Sequence, residues 1–210
     1  MGVSLAQAAN RLFARCFHNV TVYAGATLPR RGAAILVCNH ISGLDPMLVQ
    51  STSGRLITWM MAKEYYDLKS LNWLYKLVEA IPVARSGRDL AATRAALRAL
   101  GHGRVLGIFP EGKFETSRDL LPFQTGVAMM AIKTGVPVFP AYLDGTQRGE
   151  ESVARAVMYP RRATLRFGLP VEFPRDSTSR EALEEATETI KSAVFALKLA
   201  SEADSARNNR

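Results

Sequence analysis

Cysteine and histidine are scarce in this chain, and long hydrophobic runs are missing altogether. The two cysteines, Cys16 and Cys38, stand in apolar segments without paired spacing, so we expect reduced core residues rather than a disulfide or metal site. No stretch comes near the roughly 20 apolar residues that cross a bilayer, and the N-terminus lacks the apolar core of a signal peptide. The sequence therefore predicts a protein that is made and kept in the cytoplasm.

Acidic side chains are outnumbered by basic ones, and the excess is unevenly placed. The formal net charge is +8, and because residues 176–210 hold 5 basic and 7 acidic side chains, the first 175 residues carry +10. Such an excess attracts phospholipid headgroups, nucleotide phosphates or nucleic acid, although a scattered, solvated surface is the alternative. Basic residues interleaved with aromatic ones, a pattern typical of nucleic-acid binding, do not occur. We therefore expect no nucleic-acid partner.

Seven short apolar segments alternate with helical patterns along a chain that has no interdomain linker. This alternation predicts an α/β fold with a single domain, in which helices cover a mixed, mostly parallel sheet of about seven strands. We assign residues 1–200 to that domain, with an N-terminal amphipathic helix as an appendage, and we expect 201–210 to be a disordered tail. The predicted strands are 19–23, 33–38, 55–62, 80–85, 104–109, 135–141 and 163–168. The predicted helices include 4–17, 70–79, 88–101, 121–134 and 179–199.

The amphipathic helix predicted over 4–17 places apolar residues such as Leu5 and Leu12 on one side, with Arg11 and Arg15 elsewhere. Such a helix either lies on a membrane, with its cationic edge against anionic lipid, or covers the sheet. We favour packing on the sheet, because two arginines are few for a helix bound to a membrane surface.

The candidate catalytic stretch is Asn39–Asp45, which follows the apolar run Ala33–Cys38. Loops at strand ends of α/β sheets carry side chains into ligand crevices, so His40 is well placed for chemistry. A turn that brings Asp45 to one imidazole nitrogen would fix the tautomer and leave the other nitrogen as a general base. The structural alternative is that Asp45 at the N-cap and Pro46 at N1 simply begin a helix.

A second polar group follows the apolar segment 104–109. A carboxylate such as Glu111 at a strand end seldom serves a core, and Gly112 lets backbone N–H groups approach a ligand closely. We include both residues in the candidate site. Ser42 is a possible rival nucleophile, but no Gly-x-Ser-x-Gly elbow surrounds it, so we interpret it as a turn residue.

Four segments in a fixed order identify a family resemblance. They are Asn39-His40-x4-Asp45, Ile81-Pro82-Val83-Ala84-Arg85, Phe109-Pro110-Glu111-Gly112 and Val136-Pro137-Val138-Phe139-Pro140. Together they resemble the motif blocks of the glycerolipid acyltransferases of the 1-acyl-sn-glycerol-3-phosphate acyltransferase (lysophosphatidic acid acyltransferase) type. The resemblance spans about residues 28–145.

This resemblance implies acyl transfer from acyl-CoA or acyl carrier protein to a lipid hydroxyl in phospholipid synthesis. It implies His40 as the general base, Asp45 as its partner, and Arg85, Glu111 and Gly112 as acceptor-binding residues. It implies no cofactor besides the acyl-CoA or acyl carrier protein co-substrate. We expect a peripheral protein on the inner face of the cell membrane, with a membrane lipid as acceptor.

The chain departs from the family pattern directly after Gly112. The family continues with Thr-Arg-Ser, whereas this chain has Lys113–Phe114–Glu115, so the arginine beside the glycine is missing. We rank Arg85 first, Lys113 second and Arg118 third as ligands of an acceptor phosphate. An acceptor lysolipid without a terminal phosphate is the alternative substrate. A membrane-binding relative that has lost its chemistry is a different class of function, although such a protein would not need an intact base.

Overall fold

The computed structural model describes residues 2–84, 89–117, 119–146, 158–175 and 178–208. The strands are β1 (Thr21–Ala24), β2 (Ala34–Cys38), β3 (Ile57–Ala62), β4 (Ile81–Val83), β5 (Val105–Ile108), β6 (Val138–Asp144) and β7 (Thr164–Phe167). The helices named below are α1 (Gly2–Cys16), α2 (Asp45–Thr52), α3 (Lys63–Tyr66), α4 (Asn72–Leu77), α5 (Leu90–Gly101), α6 (Gly126–Thr134) and α7 (Arg180–Asn208).

The seven strands form one sheet in the order β1-β7-β6-β2-β5-β3-β4. Neighbouring strands run parallel except β6 and β7, which are antiparallel. β2 occupies the central position, between β5 and β6, and all of its residues are buried. The predicted α/β fold with a mostly parallel sheet of about seven strands is confirmed. The carboxyl ends of the parallel central strands share one edge of the sheet, where α/β proteins bind ligands.

Two apolar layers cover the two faces of the sheet. α5, α6 and α7 pack on one face, where Ala96 and Val194 are buried, and α1 and α2 pack on the other, where Leu48 is buried. Successive side chains of β2 alternate between these layers, so Ile35 belongs to the first and Leu36 to the second. Each fully buried Leu or Ile contributes about 1.5–3 kcal/mol to folding. This packing makes β2 a rigid support for the loop that follows it.

A proline accounts for the edge position of β4, and an aspartate accounts for the start of α5. β4 contains Pro82 and lies at the edge of the sheet, as predicted. α5 begins at Leu90 because the Asp89 side chain accepts hydrogen bonds from the first free backbone N–H groups of the helix. Leu90 is 63% exposed, and alanines such as Ala92 and Ala96 fill the inner face of α5.

α6 is shorter than predicted at its start. The periodic pattern suggested a helix from Leu121, but α6 begins at Gly126. The backbone N–H of Leu121 donates to the Glu111 carboxylate at 3.1 Å, and the backbone N–H of Gln124 donates to the Pro110 carbonyl at 2.9 Å. These long-range bonds hold the segment in a loop beside the carboxyl end of β5.

α7 is longer than predicted at its end. It continues to Asn208, so the prediction of a disordered tail over 201–210 is corrected for 201–208, which are helical. Arg166 of β7 forms an ion pair with Asp204 and lies 4.1 Å from the centre of the Tyr23 ring. These contacts fasten the last turns of α7 to the β1 side of the sheet.

α1 turns much of its apolar stripe toward solvent. Leu5 is 74% and Leu12 67% exposed, so the prediction that the helix packs on the sheet holds only for its end around Phe13 and not for these leucines. The helix is attached by its other side, where Asn10 and Arg11 donate to backbone carbonyls in and just after α2, at 2.8 and 2.9 Å, and where Ala14 is buried. No helix in the described part of the chain is both long enough and apolar enough to cross a bilayer.

The two cysteines are free thiols in different environments. Cys38 is buried in β2 as predicted, and burial raises the pKa of its thiol. Cys16 is exposed at the end of α1, which corrects the prediction of a core residue.

Candidate active site

Three strand ends meet around His40. β2 leads directly into Asn39 and His40, β5 leads into Phe109 and the Glu111 turn, and β6 is followed by Thr146. The Asn39 side chain joins the first and third of these ends, because its oxygen accepts from the backbone N–H of Leu143 at 2.7 Å and its nitrogen donates to the Leu143 carbonyl at 2.9 Å. The loop that begins at His40 is thus anchored to two neighbouring strands.

His40 and Asp45 form the pair predicted from their spacing. His40 Nδ1 lies 3.0 Å from Asp45 Oδ2, and the Asp45 side chain is fully buried while that of His40 is 16% exposed. A carboxylate accepts hydrogen bonds, so this contact favours the tautomer with the proton on Nδ1, in which Nε2 is the basic nitrogen. An imidazole in this state can accept a proton from a substrate hydroxyl at Nε2.

The Asp45 carboxylate also organises the turn that carries His40. Its Oδ2 accepts from the backbone N–H groups of Ile41 and Ser42 at 2.7 and 2.8 Å, and its Oδ1 accepts from the Thr146 hydroxyl at 3.2 Å. The prediction that Asp45 is the N-cap is wrong, because Leu44 occupies that position and Asp45 is the first residue of α2. The carboxylate therefore serves the loop before the helix rather than the N–H groups inside it.

The backbone of His40 is held from both sides by the segment that follows β5. The His40 N–H donates to Glu111 Oε1 at 3.1 Å, and the His40 carbonyl accepts from the Glu115 N–H at 2.7 Å. Glu115 is itself buried. Backbone and side chain of His40 are both fixed, and that favours a reacting group with a single orientation.

Glu111 connects two loops and does not face solvent. It is 5% exposed. Its Oε1 accepts a hydrogen bond from the His40 N–H, and its Oε2 accepts one from the Leu121 N–H, both at 3.1 Å. The pKa of Glu111 is raised to about 7, chiefly by burial and to a smaller extent by the carboxyl groups of Glu115 and Asp45, against the lowering effect of these two N–H donors. The structure brings Glu111 into the site, and both of its oxygens are occupied by backbone groups there.

Gly112 and Lys113 form the exposed turn beside this buried carboxyl group. Gly112 has φ +68°, a left-handed conformation that favours glycine, and a Cβ at this position would collide with the Gln124 amide. Lys113 follows directly and is exposed. The other two candidate phosphate ligands, Arg85 and Arg118, lie outside the described residues.

Aromatic rings enclose the imidazole of His40. Phe109 is stacked on it with ring centroids 4.0 Å apart and planes inclined by 12°, and Phe114 lies against it at 4.4 Å. Trp59 of β3 is stacked in turn on Phe109. Sequence reasoning did not include Phe109, Phe114, Trp59 or Thr146 in the site. Only Phe109 had a visible signal, because it directly precedes Pro110-Glu111.

Ser42 is a turn residue, as the sequence around it predicted. It is buried, and its hydroxyl accepts a hydrogen bond from the backbone N–H of Leu44 at 3.3 Å. In the described ranges, no group of three or more His, Cys, Asp and Glu side chains is arranged to hold a metal ion.

Comparison with known proteins gives one family match. The sequence model of the acyltransferase family matches residues 19–144, a range that contains His40, Asp45 and Glu111. A 1-acyl-sn-glycerol-3-phosphate acyltransferase of Bacillus subtilis is 28% identical over 142 residues, which cover 66% of this chain and 69% of that protein. Another of Borreliella burgdorferi is 29% identical over 129 residues, which cover 60% of this chain and 52% of that protein. The chain thus spans about half to two thirds of the length of these relatives.

One solved structure supports the fold. The 1-acyl-sn-glycerophosphate acyltransferase of Thermotoga maritima matches with a TM-score of 0.72 at 24% sequence identity, covering 93% of this chain and 80% of that chain. At this identity the match establishes a shared fold.

Proposed function

The chain belongs to the acyltransferase family, and we propose that it transfers a fatty acyl group from a thioester donor to the hydroxyl of a lysophosphatidate-like acceptor in phospholipid synthesis. The donor is acyl-CoA or acyl carrier protein. The contact between His40 Nδ1 and Asp45 Oδ2, with Nε2 left as the basic nitrogen, carries this proposal. The names of the relatives from Bacillus subtilis and Borreliella burgdorferi support the choice of acceptor.

In the proposed reaction His40 Nε2 takes the proton of the acceptor hydroxyl as its oxygen attacks the thioester carbonyl carbon. The tetrahedral oxyanion collapses, the carbon–sulfur bond breaks, and the thiolate receives the proton from the imidazolium. The products are the ester and a free thiol. A thioester is already activated, so the protein needs only to deprotonate, orient and stabilise, and no covalent nucleophile is required. Asp45 keeps the imidazole in the required tautomer and stabilises its protonated form.

We propose that the three residues of the 111–113 turn have different roles in binding the acceptor. Glu111 acts by fixing the loops around His40, because both of its oxygens accept backbone N–H groups. Gly112 lets the chain turn, and the exposed Lys113 supplies a cation beside the site. Arg85 remains the first candidate for the phosphate, since a guanidinium engages two phosphate oxygens at once. Arg118 is the third candidate.

The proposed function is tested with a panel of acceptors and one acyl-CoA, with release of free thiol as the measurement. We expect lysophosphatidic acid to be a better acceptor than glycerol 3-phosphate or lysolipids with neutral or amine-bearing headgroups. Substituting Ala for Arg85, Lys113 or Arg118 should raise the acceptor KM more than the donor KM, because a contact remote from the thioester is lost. Lys133→Ala on α6, an exposed cation outside the site, is the matched control.

Two results would redirect the assignment. A preference for a neutral-headgroup lysolipid, together with unchanged acceptor KM in all three variants, would make the alternative acceptor correct. No thiol release with any acceptor would favour a binding protein without chemistry.

We propose that the protein associates with the membrane surface through α1. Leu5 and Leu12 offer apolar side chains to lipid, and the +10 charge of the first 175 residues attracts anionic headgroups. α1 is fastened to α2, the helix that begins with Asp45, so this attachment would keep the site close to its lipid acceptor.

This association is tested by sedimentation with vesicles that contain phosphatidylglycerol. Replacing both Leu5 and Leu12 by Gln should weaken binding at least about 10-fold. Burying a leucine side chain is favourable by about 1.5–3 kcal/mol, and each substitution removes a large part of that free energy. Binding of the wild type should also fall as salt shortens the Debye length from about 10 Å toward 3 Å. Leu169→Gln, at a 71% exposed leucine outside α1, is the control. Equal binding of the double variant and the control would exclude α1 as the contact.

A further inference from the structure

The aromatic stack behind His40 continues into the sheet, and the reaction proposed above assigns it no role. The Trp59 indole and the Phe109 ring have centroids 4.6 Å apart and planes inclined by 6°. Phe109 is stacked in the same way on the imidazole at 4.0 Å. Three nearly parallel rings therefore connect β3, β5 and the candidate base.

The sheet makes room for the innermost ring of this stack at Gly107. Trp59 on β3 is paired with Gly107 on β5, and a Cβ at residue 107 would lie 2.5 Å from the indole Cε3. Glycine inside a buried strand weakens that strand and marks a close approach of another group. The groups that approach here are the indole of Trp59 and the side chain of Ile57, whose Cγ2 would lie 2.6 Å from that Cβ.

The indole is kept in this place although its N–H has no hydrogen-bond partner within the described part of the chain. Trp59 is 7% exposed, and among the described residues its Nε1 finds no hydrogen-bond acceptor. A buried donor without an acceptor is unfavourable, and tryptophans normally avoid it. The ring faces, rather than the N–H group, therefore explain why an indole occupies the position.

One hydrogen bond cannot by itself fix the plane of an imidazole. The contact to Asp45 holds Nδ1 but leaves the ring able to tilt about that contact, which would move Nε2. A flat ring face at 4.0 Å removes this freedom. We propose that Phe109 and Trp59 are positioning residues that set the imidazole plane of His40, Phe109 by contact and Trp59 by holding Phe109. This inference rests on the proposed role of His40 as the base.

The test compares Trp59→Leu with Trp59→Phe in the thiol-release assay. Leu removes the flat ring, whereas Phe keeps a ring and removes the unpartnered N–H. Because small displacements of a reacting group cost up to about 100-fold, we expect Trp59→Leu to lower kcat by about 10- to 100-fold with both KM values within about 2-fold. Trp59→Phe should restore most of kcat. Trp73→Leu, at a 64% exposed tryptophan on α4, is the control and should behave like the wild type.

A second measurement reports on the ring itself, independent of turnover. The carbon-bound imidazole protons of His40, assigned by their absence in His40→Ala, feel the ring current of Phe109, so their NMR resonances should move in Trp59→Leu and hardly in Trp59→Phe. If Trp59→Leu does not fold, Phe109→Leu replaces it, compared with Phe109→Tyr. Equal kcat and equal His40 resonances in the Leu and Phe variants would overturn the inference. Normal turnover of His40→Ala would instead overturn the proposed function, whatever the Trp59 variants show.

Discussion

His40→Ala is expected to lower kcat by about 10²–10⁴-fold, because a general base acts in the transition state and contributes a factor of this size. The fold should survive the substitution, since the His40 side chain is partly exposed in a loop and its backbone bonds to Glu111 and Glu115 do not depend on the imidazole. The measurement is thiol release with lysophosphatidic acid as acceptor, accompanied by circular dichroism and thermal unfolding.

His102→Ala is the matched control, because His102 is an exposed histidine at the C-terminal end of α5, outside the site. It should keep wild-type turnover. A His40→Ala variant that also keeps near-native turnover would remove the imidazole from the mechanism.

Glu111→Gln is expected to change how stability depends on pH. The pKa of Glu111 is raised to about 7 by burial, whereas an unfolded chain has an ordinary glutamate. Between about pH 4.5 and 7 the unfolded state therefore loses a proton that the folded state keeps, and the free energy of unfolding falls as pH rises. Glutamine has no such proton. The difference in unfolding free energy, wild type minus Glu111→Gln, should decrease by about 3 kcal/mol across this range and stay constant above it.

Urea unfolding of both proteins at several pH values measures this difference. Glu188→Gln, at an exposed glutamate on α7, controls for the loss of a carboxyl group as such. A difference between wild type and Glu111→Gln that does not vary with pH would contradict the shifted titration.

Local sequence patterns were sufficient to predict the helices and strands whose position is decided by the side chains within them. β2 is a continuous apolar run and is buried throughout. β4 carries a proline and lies at the sheet edge. The start of α6 was mispredicted because Leu121 donates its N–H to Glu111, ten residues earlier in the chain. Hydrophobic periodicity cannot reveal a competing bond to another loop.

Within the candidate site, too, contacts between residues close in sequence could be predicted, whereas contacts with distant segments could not. The sequence indicated that a turn could bring Asp45 to His40, five positions earlier in the chain, and it placed Glu111 at the end of a strand. The N-cap prediction for Asp45 failed because an Asp-Pro pair looks alike whether the carboxylate points into the helix or back to the loop. Thr146, which helps decide the direction here, lies 101 residues away. The stack of Trp59 on Phe109 depends on strand order and register, which a single sequence does not display.

The pair of hydrogen bonds between the Asn39 side chain and the Leu143 backbone has a consequence for the order of folding. Its two bonds join residues 104 positions apart, and the bond from Thr146 to Asp45 spans nearly as far. Closing such long loops costs chain entropy before the contacts can form, so we expect these bonds to form late in folding. A growing polypeptide that ends before β6 can form the turn around His40 but lacks the bonds from Leu143 and Thr146 to Asn39 and Asp45. Competence for chemistry is thus acquired only after most of the sheet has assembled.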